Sequence, residues 1–84
     1  MAAQYLRGEK RKGMFSNEVA FVVVDSMGKP HVLLVSEDMV ETRHGSPTIR
    51  VRIVDQAEDV ALVRVPGEAL DSNTVSVRTS QLVA

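Results

Sequence analysis

The sequence predicts an all-β protein: a small antiparallel barrel of about five strands, preceded by a mobile N-terminal segment. Three observations carry this. Apolar residues recur with period two along most of the chain, valine is the dominant apolar residue, and no amphipathic helix of useful length can be drawn. Branching at Cβ restricts a side chain in a way that suits a pleated surface.

The chain has 84 residues and no cysteine. That length holds one domain, which buries roughly 60–65% of the surface its unfolded chain exposes, so the core is thin. Lack of cysteine excludes disulfides and thiolate metal sites and points to a reducing, cytoplasmic setting. The longest apolar run is Val19–Val24, far short of the ~20 residues of a membrane helix. The opening MAAQYLRGEKRKG lacks the apolar core of a secretory signal. A soluble protein without membrane contact is the expectation.

The net charge of −1 conceals an asymmetry. Residues 1–12 carry Arg7, Lys10, Arg11 and Lys12 against Glu9, while residues 13–84 hold six basic and ten acidic side chains. An evenly basic nucleic-acid binder is excluded, and a local basic arm or stripe is not. The stretch 7-RGEKRKG-13 reads as a flexible segment, either a solubilising terminus or an arm for phosphate through Lys10, Arg11 and Lys12. Residues 14–84 are then the domain, with Met14 and Phe15 expected to plug one end.

The first strand is 18-EVAFVVVD-25, followed by the turn Ser26-Met27-Gly28-Lys29, where Gly28 supplies the positive φ such turns commonly need. The second is 30-PHVLLVS-36, with Pro30 at its start. Placing Asp25 opposite Lys29 pairs Val23 with His31, Phe21 with Leu33, Val19 with Val35, Val22 with Val32, and Ala20 with Leu34. Both faces are apolar, so the hairpin must be covered on both sides or lie where a barrel closes. Next, 36-SEDMVE-41 suits one capped helical turn, and 41-ETRHGSPT-48 reads as loop.

The third strand is expected over Thr48–Val54 and the fourth over Val60–Val65, joined by the acidic loop Asp55–Asp59. If Val54 faces Val60, then Ile49 faces Val65, Val51 faces Val63 and Ile53 faces Ala61, all on the core side. The outer face pairs Arg50 with Arg64 and Arg52 with Leu62. The connection 66-PGEALDSN-73 leads to a last strand, 74-TVSVRT-79, whose Arg78 joins the outer face if this strand lies beside the fourth. The ending 79-TSQLVA-84 suits one turn that tucks in Leu82.

The turn at Gly28, the hairpin IRVRIVDQAEDVALVRVPG and the closing VRTSQLV give a layout that resembles the Src-homology-type small barrels. That superfold includes Sm-like and Tudor-like domains, and the likeness spans most of residues 14–83. The resemblance implies binding of nucleic acid, peptides or neighbouring subunits rather than catalysis. With only Tyr5, Phe15 and Phe21 as aromatics, the aromatic cage of a Tudor-type reader is missing.

The arginine row admits three readings. Guanidinium groups grip phosphate oxygens bidentately, which makes an anion site. Alternatively Asp55, Glu58, Asp59, Glu68 and Asp71 neutralise an ordinary solvated face. The third reading uses Leu62, Val54 and Val60, an apolar patch beside arginines that suits a protein contact or self-association. Elsewhere, His31 and His44 have no metal-ligand spacing, and Glu37, Asp38 and Glu41 lack the pattern of a calcium loop. No nucleophile elbow, phosphate-cradling glycine loop or matched carboxylate pair appears. An enzyme working through His31 or His44 is carried only as a third and least favoured class, and no catalytic residue, cofactor, metal or small-molecule substrate is assigned. The expectation is a non-enzymatic binding or assembly module that contacts a protein partner or itself through the outer face of residues 48–54, 60–65 and 74–79. Its alternative is RNA binding by Arg50, Arg52, Arg64 and Arg78 on that face.

Overall fold

Gln4–Arg7 (β1) and Glu9–Lys12 (β2) are strands in the computed structural model, which describes residues 4–13, 16–66, 68–69 and 73–84. The segment expected to be mobile is thus built into the fold from residue 4. The remaining strands are β3 (Glu18–Val24), β4 (Pro30–Ser36), β5 (Val40–Arg43), β6 (Ser46–Ala57), β7 (Val60–Arg64), β8 (Glu68–Ala69), β9 (Thr74–Arg78) and β10 (Leu82–Val83). Two single 3₁₀ turns, Glu37–Met39 and Thr79–Gln81, complete the described elements. The protein is all-β and antiparallel, and the five expected strands are β3, β4, β6, β7 and β9. The short β1, β2, β5, β8 and β10 add to them. Met14, Phe15 and the side chains of residues 67–72 lie outside the described residues.

One sheet runs β10-β1-β6-β7-β9, with β5 also paired to β6; the other runs β2-β3-β4-β8. Leu6, Ile49, Val63 and Val77 from the first sheet meet Phe21, Val23 and Leu33 from the second, and all are fully buried. Each such side chain contributes about 1.5–3 kcal/mol of burial free energy. Period two explains this core: the alternate residues of β3, β7 and β9 that face the other sheet are valines, with Phe21 and Ala61.

Gly8 makes one seam between the sheets. There the chain leaves β1 for β2, and the Gly8 N–H donates to Pro47 O at 3.1 Å. A Cβ at this position would lie 2.4 Å from Phe21 Cε2, so only glycine lets the ring and the backbone approach. The opposite seam is polar. Ser26 N–H donates to Ser76 O at 2.6 Å, and Gln81 Nε2 donates to Val24 O at 2.7 Å.

The β3–β4 hairpin pairs as the sequence implies, from Val19 opposite Val35 to Val23 opposite His31. Two other expectations need correction. Residues 41–48 are not loop: His44 (φ 53°) and Gly45 (φ 79°) form a tight turn between β5 and β6, with Arg43 opposite Ser46. The five-residue loop at 55–59 is a two-residue turn, Glu58-Asp59, with Glu58 at φ 57° and Ala57 opposite Val60. Positive φ at both His44 and Gly45, and at the first residue, Glu58, of the other turn, matches the twist of the flanking strands. The register then places Arg52 opposite Arg64, and Ile53 opposite Val63. A bulge at Val54 precedes the Asp55–Leu62 pair. Because the registers differ by two residues before the bulge, the inward and outward sets stay as expected.

Candidate functional site

The outer face of the larger sheet is built rung by rung along β6. Outward residues of β6 are Thr48, Arg50 and Arg52, since Ile49 and Val51 are buried on the core side. Thr48 is flanked by Arg7 of β1 and Glu41 of β5; Arg50 faces Tyr5 of β1; Arg52 faces Arg64 of β7, which in turn faces Thr74 of β9. The expected pairing of Arg50 with Arg64 is replaced by Arg52 with Arg64, and that of Arg52 with Leu62 by Asp55 with Leu62. Adjacent outward rungs are about 6.7 Å apart. Arg7, Arg50, Arg52 and Arg64 are exposed.

None of these four forms an ion pair within 4.0 Å among the described residues. The acids expected to neutralise the row do not do so where their side chains are described: Asp55 instead accepts from the Gln56 N–H at 2.8 Å, and Glu58 and Asp59 form the turn. Arg43 adds a fifth guanidinium to this face. Its Cζ lies 3.7 Å from the centroid of the Tyr5 ring, on the far side of β6 from its own strand. Between them Thr48 is fully buried, its hydroxyl donating to Glu41 O at 2.7 Å. The nearest carboxylate oxygen, Glu41 Oε2, is 3.9 Å from Arg43 Nη2, too long for a hydrogen bond, and the buried Arg43 Nε has no acceptor. Stacking on Tyr5, rather than hydrogen bonding, holds this guanidinium in place.

Five arginines and one glutamate, Glu41, thus share one stretch of sheet surface. Arginine is charged at any accessible pH, so the face is positive throughout. Beyond Arg52 the character changes. Asp55, Leu62 and Ser76 form the next rung and Ala57, Val60 and Arg78 the last, so Arg78 stands apart from the other cations. Here Val54 is 51% and Leu62 37% exposed, an apolar patch at one end of the row.

Lys10, Arg11 and Lys12 belong to a different surface. They lie on β2, an edge of the other sheet, where Lys10 pairs with Glu37 at 3.5 Å and Arg11 grips Glu9 at 3.2 and 3.3 Å. An exposed, charged edge strand of this kind discourages strand-on-strand aggregation.

The histidines have turn roles. Asp25 Oδ1 accepts from the amides of Met27 and Lys29 at 2.9 and 2.8 Å, and Oδ2 sits 2.8 Å from His31 Nε2. The His31 hydrogen bond first, then the Lys29 amide, hold the Asp25 carboxyl below its ordinary 3.8, with burial opposing. His44, with Gly45, holds the left-handed backbone of the β5–β6 turn. No group of three or more His, Cys, Asp or Glu among the described residues is placed to hold a metal ion. No described helix is long and apolar enough to cross a membrane.

Sequence reasoning missed Tyr5, Arg7 and Arg43. The one signal for the first two was the alternation in Gln4-Tyr5-Leu6-Arg7, too short to stand out from a basic terminus. No protein-family model, curated protein or solved structure matches the chain at a significant level.

Proposed function

We propose that this protein is a non-enzymatic module that binds the phosphate backbone of a nucleic acid on the outer face of β1, β6 and β7. One observation carries the reading: Arg7, Arg50, Arg52 and Arg64 share that face without a carboxylate partner among the described residues. Arginines set directly opposite each other destabilise a ladder by a few tenths to about 1 kcal/mol. A glutamate at either position would remove that cost, so an anionic ligand gives the arrangement its purpose. The layout, with its 3₁₀ turn before the last short strand, supports a Src-homology-type small barrel. The lack of cysteine supports a reducing, cytoplasmic setting.

The test is the salt dependence of binding to a labelled single-stranded oligonucleotide, read by fluorescence anisotropy. Four arginines on four phosphates give a slope of log K against log salt of about −3, and Arg50→Ala makes it shallower by about 0.7. Absence of binding at low salt, or a slope untouched by Arg50→Ala, contradicts the proposal.

A second reading rests on the exposed Val54 and Leu62 at the end of the row. Apolar surface beside arginine suits a protein contact or a second copy of the chain. It requires a mass in sedimentation that rises with concentration and returns to the monomer value in Leu62→Glu. A monomer at all concentrations rules out the second copy.

A further inference from the structure

We infer that the site takes a single-stranded nucleic acid rather than a duplex, with one base stacked on the Arg43–Tyr5 pair. This rests on the phosphate-binding reading above and adds the class of ligand. Three features of the face lead to it.

The first is spacing. Arg7 on β1, opposite Thr48, and Arg50 and Arg52 on β6 mark three successive outward rungs of β6, spaced about 6.7 Å apart. An unstacked single strand laid along β6 offers successive phosphates at a matching repeat. A duplex strand advances only about 3.4 Å of axis per phosphate and winds about that axis rather than following one strand.

Width is the second. The cations occupy three adjoining strands, Arg7 on β1, Arg50 and Arg52 on β6 and Arg64 on β7, so the row is about 10 Å wide. They meet one backbone. In B-DNA a second backbone lies across a groove about 12 Å wide, and reading such a groove calls for an inserted helix or ribbon. This face is sheet surface, made of the outward side chains of β1, β6 and β7. Double-stranded RNA readers span about 16 base pairs, whereas the longest dimension of this molecule is 39 Å and the row occupies only part of it.

The third is the stacked pair. Tyr5 is 8% exposed, with the Arg43 guanidinium lying over its ring at 3.7 Å. The Arg43 side chain itself is 35% exposed, so it caps the ring and presents its own plane on the positive face. Unstacked bases pack on such guanidinium planes and aromatic rings, and single-strand binders join these platforms to a basic track. Here the platform and Arg50 share a rung through Tyr5. Glu41, across Thr48 from Arg7, limits the positive surface at this end, and Asp55 limits it at the other.

The experiment compares three probes by anisotropy or competition at low salt: a short oligouridylate, its duplex with oligoadenylate, and inorganic polyphosphate, which has no bases. It uses the wild-type chain and Arg43→Lys, which keeps the charge and removes the plane. Circular dichroism confirms that the variant is folded. Expected are a preference of at least about tenfold for the single strand over the duplex, and a loss of about five- to tenfold for oligouridylate in Arg43→Lys. Polyphosphate affinity stays unchanged in that variant. Duplex binding as tight as the single strand overturns this inference and leaves the phosphate reading in place. Equal losses for oligouridylate and polyphosphate, or none for either, overturn the stacking role. Failure of all three probes to bind overturns both.

Discussion

Arg52 and Arg64 stand directly opposite each other across the β6–β7 ladder, and no carboxylate among the described residues lies within 4.0 Å of either. Two like charges at this separation are a local cost to folding. Arg64→Glu turns the repulsion into an attraction and is expected to raise stability by about 0.2–1 kcal/mol, measured by urea denaturation. A loss of stability would mean that Arg64 has a structural role its described contacts do not show.

Gly8 carries the chain between the sheets, against the fully buried Phe21 ring. Gly8→Ala puts a methyl 2.4 Å from Phe21 Cε2 and 2.6 Å from Val22 O. The ring is fully buried and Val22 O belongs to the backbone, so the expected cost is about 1–3 kcal/mol or more in the same denaturation experiment. An unchanged midpoint would show that the seam yields without strain.

Glu58 holds φ 57° at the β6–β7 turn, a conformation in which a Cβ is strained. Glu58→Gly relieves that strain at some entropic cost and is expected to add several tenths to about 1 kcal/mol. For a domain of this size the gain appears as a rise of up to about 4–8 °C in Tm. A fall in Tm would point to an interaction of the Glu58 side chain.

Asp25 organises the β3–β4 turn through two amides and His31. Its carboxyl is held below the ordinary 3.8, so the stability it contributes is fully present above that value. It is lost as pH falls through the lower, folded-state value. Asp25→Ala is therefore expected to be less stable than wild type above pH 3.8, and the margin shrinks as pH falls below that value. A margin that stays constant down to about pH 2 would assign the effect to packing instead.

Lys10, Arg11 and Lys12 lie on the other sheet, and two of them are already paired with glutamates. Replacing Lys12 with alanine is expected to change oligonucleotide affinity by less than about twofold, against about tenfold for Arg50→Glu. Comparable losses from both would extend the binding surface across the seam at Gly8.

How far these features can be read from sequence differs from one hairpin to the next. The β3–β4 register was legible because Asp25 and Lys29 bracket a turn with Gly28, and the apolar residues of both strands then align. For β6 and β7 only the faces were legible. A register shift of two leaves every side chain on its face, and nothing about Glu58-Asp59 announces a two-residue turn without glycine. Strand β5 was hidden by Gly45-Ser46-Pro47, which reads as loop although His44-Gly45 is the turn and Pro47 is paired in β6. Strand β1 was hidden by its length and by the basic residues that follow it. Because Tyr5 and Arg43 come from those two hidden strands, their stacking had no sequence signal.

The central claim is that the outer arginines exist to hold phosphate, and the most direct measurement is the affinity of wild type and Arg64→Glu for one labelled single-stranded oligonucleotide at low and physiological salt. Expected is wild-type binding that weakens steeply with salt and falls at least about tenfold in a variant that is as stable as wild type or more so. Binding by neither protein at low salt, or equal binding by both, would contradict it and leave the row as ordinary charged surface.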